Sequence, residues 1–209
     1  MGAAGINQGL ARIAAIALLL LSGCTSIADL NDRSRRIERE WMLEYQKGED
    51  ELRFRVVEAP AIVVYEEMRR TLIDLGLPIV RESFANGVLV AENNAPSPLT
   101  KEEWLEVKRK EDPQMKDLGG DQLVLPADPS NFVITLLAVV RGVGDISVVH
   151  LEYELDSPKY RRMGLLLSRK APPSAVRIAS QKFWTILQLR LERLKIAPPR
   201  RRQGKEFEI

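Results

Sequence analysis

The chain has 209 residues, 45% hydrophobic and 29% charged, which is the composition of a folded globular protein and not of a disordered or membrane-spanning chain. Its net charge is only +2, so it lacks the strongly basic character of a nucleic-acid binder. Its single cysteine excludes an internal disulfide, and its single histidine excludes a metal site built from several histidines.

The first residues of the chain have the pattern of an export signal. Met1–Arg12 carries one basic side chain and no acid, Ile13–Leu21 is wholly apolar, and the small residues Ser22 and Gly23 follow. As a helix, the apolar run would span about 14 Å, less than half of the roughly 30 Å hydrocarbon core of a bilayer. We therefore predict a cleaved signal peptide at residues 1–23 and not a transmembrane anchor.

The end of this run, Leu21-Ser22-Gly23-Cys24, resembles the lipobox of bacterial lipoproteins. In that family the cysteine receives a diacylglyceryl group, the peptide is cut just before it, and the new amine is often acylated. The resemblance covers only the first 24 residues and implies lipidation of Cys24. The alternative is an ordinary signal peptide followed by an incidental cysteine. A lone thiol in an exported protein needs an explanation, and lipidation supplies one.

The residue after the cysteine bears on localisation. In lipoproteins of Gram-negative bacteria an aspartate there commonly marks retention in the inner membrane, whereas this chain has Thr25. The resemblance therefore implies the periplasmic face of the outer membrane, with the inner membrane as the alternative. The expected partners are the membrane, through lipidated Cys24, and an envelope protein complex, while nucleic acid and cofactors are not expected.

Residues 24–50 are polar and charged, and we predict a tether. Four apolar residues are spaced to form one line on a helix from about Asp32 to Lys47, which Gly48 would end: Ile27, Leu30, Ile37 and Trp41. A solvated tether is favoured, and as a flexible coil it would hold the body roughly 30 Å from the membrane. The alternative is a helix that docks on the body or on a partner.

The next segment predicts a strand, a helix and a hairpin. Leu52, Phe54 and Val56 alternate with arginines, as in a half-buried strand. A helix is predicted over Ala61–Leu75, because apolar residues recur on one face and Gly76 can end it. A β-hairpin is predicted from residues 79–84 and 88–92, since Asn86 and Gly87 tolerate the positive φ of a tight turn.

Residues 93–131 interrupt the strands. Thr100 and Glu103 match a capping box, which predicts a short helix from Lys101 to about Glu111 that Pro113 ends. The remainder is predicted to be loop. Long loops in compact domains are often lids or binding segments, and many others are only decoration, so both interpretations stay open.

Two antiparallel strands are predicted next, at Phe132–Arg141 and Ile146–Leu155. The first is apolar on both faces, as in a central strand. The second alternates, and its better core face carries Val149, Leu151, Tyr153 and Leu155. This parity places His150 on the outer face with two glutamates.

Residues 157–173 are predicted to form a basic loop around the apolar run Met163–Leu167. Its cations, which could contact anionic lipid headgroups, lipopolysaccharide or a partner, are Lys159, Arg161, Arg162, Arg169 and Lys170. The alternative is a solvated loop. A final helix is predicted from an N-cap at Ser174 to about Ile196, followed by a charged tail over residues 197–209.

This order of elements predicts an α+β fold over residues 51–196. We expect a two-layer sandwich, in which an antiparallel sheet of about five strands carries two main helices on one face.

No catalytic set emerges from the sequence. There is no Gly-x-Ser-x-Gly elbow and no phosphate-binding loop, and neither a metal nor a catalytic residue is assigned. We therefore favour a non-enzymatic binding or scaffold protein in envelope assembly or lipid transport. One alternative is a module for a lipid or small apolar ligand. Another is a cell-wall glycan hydrolase using the carboxylates Glu102, Glu103, Glu106, Asp112 and Asp117.

Overall fold

Five strands form one antiparallel sheet in the computed structural model, which describes residues 26–121, 123–158 and 170–200. The elements within these residues are α1 Ile27–Leu52, β1 Phe54–Val57, α2 Ala61–Asp74, β2 Ile79–Ser83, β3 Val88–Asn94, α3 Lys101–Gly119, β4 Val133–Val143, β5 Ile146–Asp156 and α4 Pro173–Arg193. The predicted α+β class and the antiparallel sheet are confirmed.

The strand order is β1-β5-β4-β3-β2, which makes β4 the central strand, as its two apolar faces predict. One face of the sheet supplies the core, where Leu136, Leu151 and Tyr153 are fully buried beneath the helices. The parity predicted for β5 is also confirmed. His150 lies on the other face, which none of α1–α4 covers and which we call the helix-free face, with its ring stacked on Phe54 at 4.3 Å between centroids.

The side chains of the edge strand β1 point to the faces of the sheet opposite to those that its apolar pattern predicts. The register pairs Phe54 with His150 and Arg55 with Val149, so the apolar Phe54 lies on the helix-free face and the arginine faces the helices. The helices offer aromatic surfaces for these cations. The guanidinium of Arg53 lies 4.9 Å from the ring centre of Tyr45, and that of Arg55 lies over Trp184.

The β2–β3 hairpin is confirmed, with a different connection from the one predicted. The turn is a short 3-10 helix, Phe84–Asn86, and only Gly87 takes a positive φ, of 63°. The carbonyl of Gly87 also accepts a hydrogen bond from the amide of Val140 at 2.8 Å. A side chain at position 87 would overlap the Val140 carbonyl, so this position needs glycine.

Within the described residues the helical layer holds four helices: the two main helices predicted, α2 and α4, and beside them α1 and α3, both longer than expected. α2 agrees with its prediction to within one residue: it ends at Asp74, and Gly76, whose φ is 70°, directly follows its C-cap Leu75. α1 starts earlier than expected and continues through Gly48 to Leu52. Its residues Ile37, Trp41 and Tyr45 belong to the core, so the docking interpretation replaces the solvated tether for residues 27–52.

α3 has the predicted capping box, but the prediction that Pro113 ends it is wrong. The buried residues Trp104, Val107, Glu111 and Met115 follow one another at spacings of three or four and continue past the proline. Because Pro113 itself is exposed, the helix loses one backbone hydrogen bond and keeps its packing on both sides.

α4 begins one residue before the predicted N-cap. Pro172 occupies the cap position and Pro173 the first turn, so Ser174 lies inside the helix, which ends at Arg193. Beyond it, Arg200 forms a two-bond bridge with Val56 on the outer side of β1, with N···O distances of 2.8 Å. The rest of the predicted tail lies outside the described residues.

Candidate interaction surface

Most of the site residues predicted from the sequence lie outside the described residues. These are Cys24, Lys159, Arg161, Arg162 and Arg169. Lys170 is described, and its ammonium group donates to the Glu152 carboxylate at 2.7 Å on the helix-free face of the sheet. This hydrogen bond lowers the pKa of Glu152 below its usual value. Lys170 is therefore held against the sheet.

The interface of α1 with the body is partly polar. The hydroxyl of Tyr45 donates to the backbone carbonyl of Ala171, just before α4. Burial raises the pKa of this phenol well above its ordinary value, so it stays a neutral donor. Together with the Arg53 guanidinium over the same ring, this hydrogen bond joins α1 to the start of α4 and to β1.

The first turns of α1 are fixed to the end of α3. Arg33 donates to the backbone carbonyl of Gly119 at 3.3 Å and to the Asp29 carboxylate at 2.8 Å. Only Thr25 and Ser26 separate α1 from Cys24 in the sequence. Because an extended residue spans at most about 3.6 Å, the start of α1 lies within about 11 Å of Cys24.

A buried carboxylate of α3 caps α4, and sequence analysis missed it. Glu111 is 4% exposed and accepts hydrogen bonds from the backbone amide, at 3.0 Å, and the hydroxyl of Ser174. A negative charge at a helix N-terminus is favourable because the free amides there carry partial positive charge. The partners are 63 residues apart in the sequence, so no local pattern could have indicated the pair.

The acids named for the hydrolase alternative have other environments. Glu103 caps α3 and pairs with Lys182, and Asp112 pairs with Lys108 and accepts from the amide of Leu125. The others are exposed on α3: Glu102, Glu106 and Asp117. Capping, ion pairs and solvent account for these carboxylates, so we do not carry the hydrolase forward.

An apolar surface lies where α2 meets the edge strand β2, and we call it the α2–β2 surface. Its large apolar side chains Ile62, Ile73, Val80 and Phe84 are each between 53% and 57% exposed. Ile62 and Ile73 are eleven residues apart, three turns of helix, and therefore share one face of α2. An ion pair between Arg69 of α2 and Glu82 of β2, at 3.2 Å, crosses the middle of this surface.

A cleft of about 580 Å³ opens at one end of this surface, at the start of α2 and the β2–β3 turn. Its lining includes Ala61, Ile62, Tyr65, Phe84, Val88 and Arg141. The rings of Tyr65 and Phe84 meet edge to face, with centroids 5.2 Å apart. The Tyr65 hydroxyl is buried without a hydrogen-bond partner in the described part of the chain, and desolvation raises its pKa. The cleft thus combines apolar walls with an unused donor.

Two features are absent from the described residues. None of their helices combines the length and hydropathy needed to cross a bilayer. None of their side chains form a cluster of three or more potential metal ligands. No family model, no curated protein and no solved structure matches this chain.

Proposed function

We propose that this protein is a lipoprotein anchored at the periplasmic face of the outer membrane, where it acts by binding and not by catalysis. Its role would be that of a scaffold or accessory subunit in envelope assembly or lipid transport. The observation that carries the proposal is the lipobox-like sequence Leu21-Ser22-Gly23-Cys24, which contains the single cysteine of the chain. The exposed apolar α2–β2 surface supports the binding role, because such surfaces mark interaction sites.

The docking of α1 changes the distance expected between the body and the membrane. A flexible tether would have held the body roughly 30 Å away. With α1 packed into the core and Thr25 and Ser26 as the only intervening residues, a lipidated Cys24 would hold the body directly at the headgroups. The end of α3 near Gly119 would lie close to the membrane, because Arg33 fixes it to the start of α1.

Fractionation of cells that express the full chain tests the anchor. The wild type should incorporate labelled fatty acid and remain with the outer membrane, whereas Cys24→Ser should incorporate none and be recovered in the soluble fraction if the signal is still cleaved. Thr25→Asp is the matched control for sorting and should move the labelled protein to the inner membrane. Equal fatty-acid labelling of wild type and Cys24→Ser would contradict the proposal.

A further inference from the structure

The outer edge of β2 is open for pairing. In the part of the chain that the structure describes, β2 is the last strand of the sheet and pairs only with β3. The hydrogen bonds of the described residues leave the backbone groups on the other side of Ile79–Ser83 without a partner. Such an edge can accept an extended segment as an additional strand, in which main-chain hydrogen bonds give affinity and side-chain pockets give specificity.

The edge also carries features that protect strands from indiscriminate pairing. The register shifts between Ile79 and Arg81, and two of the five residues, Arg81 and Glu82, are charged. Protection against indiscriminate pairing does not explain why apolar side chains are exposed here. Val80, within the strand, and Phe84, directly after it, are both more than half exposed. A short edge strand that carries charges and adjoins exposed apolar side chains is suited to a specific partner and not to indiscriminate pairing.

We propose that β2 binds an extended segment of another protein as an added sixth strand, with an apolar side chain of that segment in the cleft beside Phe84 and an acidic side chain facing Arg81. This inference deepens the proposed binding role and rests on it, but it does not depend on the lipid anchor.

The charges along β2 identify the chemistry of the partner. Glu82 is already paired with Arg69, whereas Arg81 is exposed and has no ion-pair partner among the described residues. An acidic residue opposite Arg81 would therefore form a cross-strand pair, and a basic one would be repelled. A second copy paired symmetrically about Arg81 or Glu82 would place like charges opposite each other. Pairing about Val80 or Ser83 avoids that repulsion but places no acid opposite Arg81. The edge therefore favours a segment of a different protein that carries both acidic and apolar side chains.

Selection from a displayed library of random nonapeptides, with the purified full chain in detergent as bait, tests this proposal. We expect the selected peptides to alternate apolar and other residues and to include acidic side chains. A synthetic copy of one selected peptide should then slow hydrogen exchange of amides within Ile79–Ser83. N-methylation at alternate peptide positions should abolish its binding, because added strands depend on main-chain hydrogen bonds.

Two single variants locate the peptide on the surface. Phe84→Ala should weaken its binding at least about tenfold, because aromatic side chains that anchor an interface carry much of its affinity. Leu189→Ala, on α4, removes a side chain of similar exposure, 52%, and should leave binding unchanged. Both side chains are about half exposed, so both variants should stay folded, although Phe84→Ala should be slightly less stable because it loses the edge-to-face contact with Tyr65.

Three results would overturn the proposal. Protection from exchange in another segment would place the binding site elsewhere and leave a binding role intact. If the peptide keeps its affinity whichever set of alternate positions is N-methylated, strand addition is excluded. A dimer that forms without peptide and dissociates in Phe84→Ala would identify a second copy as the occupant. Failure of Cys24 lipidation affects none of these readouts, so the two proposals fail separately.

Discussion

Replacing Trp41 by alanine tests whether α1 belongs to the core. Trp41 is 4% exposed and lies in the core between Ile37 and Tyr45. Truncation of a buried tryptophan lowers the free energy of unfolding by about 3 to 5 kcal/mol. The indole N–H is buried without an acceptor among the described residues, so its removal relieves part of that loss. We therefore expect a loss near the lower limit, about 3 kcal/mol.

Urea unfolding, followed by circular dichroism at the helical band, measures this loss without depending on tryptophan fluorescence. The matched control is Leu43→Ala on the same helix, where the side chain is 49% exposed and the expected change is within about 0.5 kcal/mol. Both variants are made in the mature chain with Cys24→Ser. A loss for Trp41→Ala no larger than that of the control would mean that α1 is not part of the folded body.

Two further predictions concern the hairpin and the helix-free face. Gly87→Ala should lower the free energy of unfolding in urea by more than Gly144→Ala does. Both glycines have positive φ, but only at position 87 would the new methyl group overlap the Val140 carbonyl. Equal losses would contradict the close approach. The pKa of Glu152 is lowered in the folded state by Lys170, so its contribution to stability is present above the pKa of the unfolded chain and is lost as the pH falls through the folded value. Glu152→Gln should therefore lose less stability than the wild type between about pH 6 and about pH 3, and parallel pH profiles would refute the ion pair.

The sequence correctly predicted those features of the fold that depend on residues close together in the chain. The capping box at Thr100 and Glu103 fixes the start of α3, and Gly76 fixes the end of α2. Strict alternation along β5 gave the correct face for His150, because neighbouring side chains of a strand point to opposite faces. In each case the deciding interaction lies within a few residues along the chain.

The errors arise where distant residues decide. Arg55 of β1 turns toward the helices, where Trp184 provides an aromatic face, and this partner is 129 residues away in the sequence. The continuation of α3 past Pro113 depends on packing beyond the proline. The length of α1 likewise reflects its burial against the body, which outweighs the helix-ending tendency of Gly48.

The α2–β2 surface could not have been identified from the sequence. Ile62, Ile73 and Val80 fit the apolar patterns of ordinary helices and strands, and exposure depends on where the neighbouring elements lie. Ile62 and Ile73 lie off the buried face of α2, and Val80 lies in the edge strand, so these side chains remain in solvent. The prediction of a membrane-contacting loop at residues 159–169 lies outside the described residues and stays a prediction.

Intact-mass analysis of the mature protein, purified from bacterial membranes, tests the central proposal most directly. We predict a polypeptide that begins at Cys24 and carries the additional mass of a diacylglyceryl group, with a further acyl chain where the amine is modified. A chain that retains its first 23 residues, or one that begins at Cys24 with an unmodified thiol, would contradict the assignment as a lipoprotein.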